Sequence, residues 1–231
     1  MFILNGVEGL AMTKDLSDGY KLKQELLYNL TMVNKKMSQS LATSELKYKI
    51  CISGAAETGF CAPDAHLKAE EMGRLIAEAG MVLVTGATTG TPYWGAKGAK
   101  EAGGIVIGLS PAVSESEHVK KYELPLDYHD LIIYTGFNYS GRNLLLTRSA
   151  DAVIVICGRM GTLNEFTIAF EDNKPIGIFE GTGGMADEMR GIIEKAHRGM
   201  GKVVFSADPK ELLAKVKELV DIDKKNNHQN S

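Results

Sequence analysis

Short apolar runs recur through the middle of this chain, and none of them alternates apolar with polar residues. Lys49-Ile50-Cys51-Ile52-Ser53, Met81-Val82-Leu83-Val84-Thr85 and Ile105-Val106-Ile107-Gly108-Leu109 are three. Leu131-Ile132-Ile133-Tyr134, Ala152-Val153-Ile154-Val155-Ile156, Ile176-Gly177-Ile178-Phe179 and Lys202-Val203-Val204-Phe205 complete the series. A strand with water on one face would show a period of two; a continuous apolar strand is buried on both. Between the runs lie stretches with helical spacing. Pro63 to Ala79 carries Leu67, Met72, Leu75 and Ile76 and stops at Gly80, a natural residue just past a helix end. Trp94–Ala102, Tyr139–Ser149, Thr162–Glu171 and Met185–Arg198 are the others, and Asp208-Pro209 opens a last one reaching about Val220. Asp208 suits the N-cap, and proline costs nothing at the first helical position, where its missing N–H would be unpaired anyway. The expected fold is therefore α/β: a doubly wound, mostly parallel, Rossmann-like sheet with helices on both faces.

Both ends read differently. Residues 1–46 form a polar, patchy extension with one helical stretch through Tyr20, Leu22, Leu26, Leu27, Leu30 and Val33. Residues 47–220 form the domain. Residues 221–231 have almost nothing to bury and are expected to be disordered. A length of 231 residues suits one core.

With Lys+Arg 26 against Asp+Glu 29, the formal charge of −3 argues against a nucleic-acid binder, which carries a basic stripe. No apolar run is long enough for a membrane span, which takes about 18 residues. The opening residues lack the basic and apolar regions of a secretory signal. Cys51, Cys61 and Cys157 are too few and too scattered for a disulfide framework, so a reducing cytoplasm is the simplest compartment. His66, His118, His129, His197 and His228 stand alone, with no ligand spacing, so neither a metal nor a resident cofactor is expected.

In such sheets ligands bind beyond the carboxyl ends of the strands. Three turns there are unusual. Ser53-Gly54-Ala55-Ala56 is small enough for a phosphate or ribose to approach the backbone, or is simply a tight turn. Thr85-Gly86-Ala87-Thr88-Thr89-Gly90 precedes a helix, offering N–H groups and hydroxyls to an anion at the positive helix end. It matches neither the dinucleotide fingerprint nor the P-loop of ATPases. Trp94, which follows, is read as packing rather than base-stacking. Cys157-Gly158-Arg159-Met160-Gly161-Thr162 leads to Glu165. Thr162 and Glu165 have the spacing of a capping box. Alternatively the turn and Thr162 hold phosphate, while Glu165, near a positive helix end, stays ionised and faces the ligand. Arg142 lies among glycines at another helix start, and Arg148 is either a second cation or a surface group.

Arg142-Asn143, Arg148-Ser149-Ala150-Asp151-Ala152 and Gly158-x-x-Gly161-Thr162-x-x-Glu165, in this order, resemble the LONELY GUY (LOG) family over about residues 48–180. That resemblance implies a homodimeric nucleotide phosphoribohydrolase, which cleaves the N-glycosidic bond of a nucleoside 5′-monophosphate. Arg142 and Glu165 would be its catalytic pair. Ser53, Gly54, Gly86, Thr88, Thr89, Gly90, Gly158, Arg159, Gly161 and Thr162 would hold the small-molecule nucleotide. A fixed carboxylate beside the ribose would stabilise the positive charge that builds as the base leaves. The sequence departs from the LOG pattern at Cys157 (proline), Arg159 (glycine) and Asn143 (lysine). With those changes it looks more like a sister branch that includes molybdenum-cofactor-carrier-like proteins, where the same pocket can bind without catalysis.

Overall fold

The computed structural model describes residues 23–24, 26–32 and 46–229. Residues 1–46 and 47–231 separate into two units. In the first, residues 26–32 are helical and contain Leu26, Leu27 and Leu30 of the expected stripe; Tyr20, Leu22 and Val33 lie outside the described residues.

In the second unit the strands are β1 (Lys49–Gly54), β2 (Val82–Thr85), β3 (Ile105–Ser110), β4 (Leu131–Tyr134), β5 (Ala152–Ile156), β6 (Ile176–Phe179) and β7 (Val203–Ser206). They form one 7-stranded sheet in the order β4-β3-β2-β1-β5-β6-β7. Every pairing is parallel. The helices are α1 (Ala65–Glu78), α2 (Thr91–Glu101), α3 (Glu115–Lys120), α4 (Asn138–Ser149), α5 (Met160–Glu171), α6 (Gly184–Ala196) and α7 (Pro209–Gln229). Of these only the short α3 has no counterpart in the sequence pattern. It is begun by Ser114, whose hydroxyl accepts from Glu117 N.

The absence of alternation in the strands is explained by two cores. Ile50, Ile52, Leu83, Ile154 and Ile156 point to one face, where Met72 and Ile76 of α1, Ala96 and Ala99 of α2 and Leu212 and Val216 of α7 cover them. Cys51, Val82, Val84, Val153 and Val155 point to the other, under Leu146 of α4, Phe166 and Ala169 of α5 and Met189 and Ile193 of α6. Each fully buried aliphatic side chain contributes about 1.5–3 kcal/mol, so both faces drive the fold.

Two features depart from the sequence-based expectation. Within the segment 221–231, expected to be disordered, α7 runs on to Gln229; residues 230–231 lie outside the described residues. Side-chain pairing replaces the missing apolar contacts: Tyr48 Oη donates to Asp221 (2.7 Å), Lys202 pairs with Asp223 (2.7 Å) and Lys224 with Asp151 (2.6 Å). The cysteines are not all free thiols either. Cys61 and Cys157, 96 residues apart, form a disulfide, while Cys51 is free and buried. Their proximity is a product of the sheet order, which no spacing rule could register. As expected, Asp208 caps α7, accepting from Glu211 N at 2.7 Å.

Helices α1 and α2 touch backbone to backbone: a methyl on Gly98 would overlap the Glu70 carbonyl, and one on Gly73 the Gly95 carbonyl. Alanine would gain up to about 1 kcal/mol in helix propensity at Gly98. Overpacking costs about 1–3 kcal/mol and wins. Gly98→Ala should therefore lower the urea midpoint of unfolding; an unchanged or higher midpoint would contradict this packing.

Candidate functional site

The sheet order reverses between β1 and β5. The chain leaves β1 outward through β2, β3 and β4, then returns to place β5 on the other side of β1, with Gly54 opposite Ile156. The connections after β1 and β5 leave in opposite directions, so a crevice opens at their carboxyl ends. A cavity of about 460 Å³ occupies it.

The wall collects residues from turns far apart in sequence: Gly54, Gly86, Thr88, Thr89, Arg142, Arg159, Gly161, Thr162 and Glu165 all line it. Of the predicted set, Gly90, Gly158 and Ser53 do not reach the wall. Gly90 (φ 73°) packs against the Ala55 carbonyl, and a methyl there would overlap it. Gly158 (φ 104°) makes the turn into α5 against Thr162. Ser53 faces the opposite side of β1 from Ile52 and Gly54. That side is covered by α5, and its hydroxyl donates to Glu165 Oε2.

The glycines of the site play different parts. Gly54 makes room for Thr91, and Gly86 for the guanidinium of Arg142, whose Nη1 a methyl would overlap. Gly161 alone among them has nothing within 4 Å of its missing side chain. It lies in the first turn of α5, where the N–H groups of residues 159–162 have no acceptor within the helix. Thr162, buried at 3% exposure, stands beside it on the wall. The space beside Gly161 is therefore open at a positive helix end.

Glu165 is 6% exposed. It does not form the anticipated capping box; α5 begins at Met160, with Arg159 as its N-cap, and Glu165 points inward. Thr162, Glu165, Phe166 and Ala169 make one buried stripe on α5, polar where it passes the strand ends and apolar below. Ser53 donates to one carboxylate oxygen. The side-chain amide of Asn143 lies 2.9 Å from the other; with its nitrogen so turned, it donates to Glu165 Oε1 and to Tyr139 O. Burial raises the pKa of Glu165 above its ordinary value, outweighing the opposing pull of Arg142 and of the Ser53 hydrogen bond. The shift is thus upward, set by burial rather than by the helix end.

Arg142 is 5% exposed, with Nη1 donating to Leu109 O at 3.4 Å and its guanidinium 5.7 Å from the Tyr139 ring centre. Among the described residues no ion pair joins it to Glu165; they share the cavity wall, not a direct contact. Arg159 does not close over the open space at Gly161. It turns to Glu57 (2.9 Å) and lies over Phe60 at the rim. Arg148 is a surface group paired with Asp172 at 2.9 Å, and Trp94 packs against the core on the α1/α2 face, as expected. His118 and His129 brace the sheet through Ser110 and Thr85. Among the described residues no cluster of His, Cys, Asp or Glu could hold a metal.

Sequence reasoning missed several wall residues: Glu57, Tyr122, Glu123, Leu124, Tyr139 and Asn143. Asn143 is adjacent to Arg142 and was legible as a departure from the LOG pattern, though its partner was not. Tyr122 to Leu124 follow α3 rather than a strand, so the strand-end rule passes them by.

Residues 47–213 match the profile of the SLOG cluster4 family. The chain belongs to the SLOG cluster4 family. It is similar to an uncharacterized protein of Archaeoglobus fulgidus, 34% identical over 128 residues, which covers 55% of this chain and 79% of that one. Among solved structures it is similar to the molybdenum cofactor binding protein of the phototrophic bacterium Rippkaea orientalis (28% identity, TM-score 0.63), covering 77% of this chain and 99% of that one. It is also similar to the molybdenum cofactor carrier protein of Chlamydomonas reinhardtii (30% identity, TM-score 0.61; 76% and 99% covered). No helix among the described residues of this SLOG protein is long and apolar enough to cross a membrane.

A raised carboxylate pKa has a definite sign. The folded state favours protonated Glu165, so this group's contribution to stability is full below the ordinary value of 4.5 and is lost as pH rises through the raised one. Glu165→Gln stays neutral. Its melting temperature relative to the native protein should climb with pH above about 4.5 and then level off; a difference constant from pH 4 to 8 would refute the buried, protonation-favouring site.

Proposed function

We propose that this SLOG protein binds a phosphorylated small molecule carrying a planar ring, of nucleotide or pterin type, and acts as its carrier or sensor. The observation that carries this reading is the open Gly161 cradle at the start of α5, set in a cavity with a buried Arg142 and an aromatic side at Tyr122 and Tyr139. Phosphate oxygens would take the unpaired N–H groups and the Thr162 hydroxyl. Arg142 would add positive charge where little water remains to screen it. The ring would lie toward the tyrosines. The similar proteins described as binding or carrying molybdenum cofactor fit this class of ligand.

The state of Glu165 favours binding over turnover. Both its oxygens are engaged by neutral donors, and burial favours its protonated form. A group that must stabilise a developing cation should be ionised and free to face it. The second reading, a phosphoribohydrolase, is favoured by the placement of Arg142 and Glu165 on one cavity wall. It requires Glu165 to face the sugar of the bound ligand.

Native mass spectrometry of the purified protein should reveal a co-purifying phosphorylated compound, and calorimetry should detect AMP binding without release of adenine. Adenine release that Glu165→Gln abolishes would instead establish the hydrolase. Gly161→Val fills open space, so it should leave the melting temperature within a few degrees while weakening AMP binding at least about tenfold, or 1.4 kcal/mol. Unimpaired binding would remove the cradle from the site.

The protein is further proposed to pair as a homodimer, in keeping with its LOG resemblance. Apolar Leu131, Ile133, Phe137, Leu144 and Leu145, on β4 and around α4, are exposed and suit a second copy. Light scattering after size exclusion should give twice the 25.0 kDa chain mass; a monomer at micromolar concentration would count against it.

A further inference from the structure

The Cys61–Cys157 disulfide joins two walls of the cavity. Cys157 follows directly on β5 and begins the turn that leads through Gly158 and Arg159 to the Gly161–Thr162 cradle. Cys61 ends a loop after β1 whose earlier residues, Ala55, Ala56 and Glu57, line the cavity. The start of that loop is fastened to the β2–α2 turn: Thr91 N donates to Ala55 O (2.9 Å) and Thr89 Oγ1 to Ala56 O (3.0 Å). Its end is fastened to the β6–α6 turn, where Ala62 N donates to Thr182 O (3.0 Å). Between these points, residues 57–61 are tied to the α5 turn by the disulfide, by the Arg159–Glu57 ion pair and by the stacking of Arg159 on Phe60. The ion pair and the ring contact are exposed and weak in water. The covalent bond is the strong tie.

We propose that Cys61–Cys157 is a reversible thiol–disulfide exchange site whose reduction loosens the 57–61 rim and releases the bound ligand. This rests on the reading of the cavity as the ligand site.

The two sulfurs differ in the way exchange requires. The Cys61 residue is partly exposed, whereas Cys157 is fully buried, so an external thiol has its approach at Cys61. The Cys157 sulfur lies beside the start of α6, where a methyl on Gly184 would sit 2.9 Å from it, and its own residue is three positions before α5. Attack at Cys61 makes the buried Cys157 sulfur the leaving group, and the two positive helix ends near it offset part of the cost of placing negative charge there. A thiolate of an external dithiol attacks Cys61 Sγ; the S–S bond breaks and its electron pair goes to Cys157 Sγ, which takes up a proton. The second thiol of the dithiol then attacks its own sulfur in the mixed disulfide. Cys61 leaves and is protonated to the thiol. The dithiol is oxidised by two electrons to its disulfide, and the protein gains two thiols. Once reduced, the Cys157 turn keeps its own anchors, since Cys157 N donates to Thr182 Oγ1 (2.8 Å) and Ala186 N to Cys157 O (2.8 Å). The rim moves and the cradle stays.

The test uses the full chain, equilibrated with oxidised or reduced dithiothreitol. Thiol alkylation read by mass spectrometry should label Cys61 and Cys157 only after reduction, with buried Cys51 as the internal control that needs denaturation. Hydrogen exchange of residues 57–61 should quicken at least about tenfold on reduction while that of α5 holds. The dissociation constant for AMP should rise about tenfold, and Cys61→Ser should match the reduced protein in both readouts. Alkylation of Cys61 in the oxidised sample, or exchange in 57–61 that ignores redox state, would overturn the proposal. Should AMP bind in neither state, the nucleotide reading is what fails, and the exchange measurement still decides the gate on its own.

Discussion

The pairing of β1 with β5 is the contact on which everything else here depends. Both strands are apolar on both faces, and in the sheet they lie side by side although about 100 residues separate them. Burial of Ile50, Ile52, Ile154 and Ile156 beneath one layer of helices, and of Cys51, Val153 and Val155 beneath the other, fixes the pair and its register. With Gly54 opposite Ile156, the two connections that follow begin at the same level and part. The cavity is the space they leave. The disulfide, the Ser53–Glu165 hydrogen bond and the Arg159–Glu57 ion pair all bridge this one junction.

The polar chemistry of the site grows from the same packing that makes the core. Helices α4 and α5 present continuous inward stripes, and each stripe changes character as it passes the strand ends. Below that level α5 buries Phe166 and Ala169; above it, Thr162 and Glu165. On α4, Leu146 gives way to Arg142 and Asn143. These charged and polar groups are nearly as buried as the leucines, which is costly unless they are paired. Glu165 is paired by neutral donors, and Arg142 by a carbonyl and an aromatic face. The cavity wall thus holds polar and charged groups away from bulk water.

Strand identities were plain in the sequence because period and length sufficed for them, and the Asp208-Pro209 helix start because its cap is a local interaction. The Gly158–Thr162 turn was also visible as a place where backbone donors face a strand end. The roles of single residues were less so. Ser53 and Gly54 are neighbours in one small-residue turn, yet one faces the carboxylate under α5 and the other the cavity, because successive side chains of a strand point to opposite faces. Gly86 reads as part of an anion-binding turn, yet its missing side chain serves a guanidinium that comes from α4. The segment 221–231 has almost nothing to bury and reads as disorder, yet α7 runs through residues 221–229, where Asp223 pairs with Lys202 and Lys224 with Asp151, both remote in sequence.

Local physics, then, is what the chain itself determined: which segments bury both faces, where helices start and stop, and which turns leave donors unpaired. These depend on residues within about a turn of one another, and they carried the fold class. What the tertiary structure alone decided was which donors meet which acceptors across the crevice. The pairing of Cys61 with Cys157, the neutral grip of Ser53 and Asn143 on Glu165 and the slot for Arg142 at Gly86 each join elements that only the strand order brings together. Sequence spacing carries no trace of them, because each contact is set by distance in a packed solid rather than by distance along the chain.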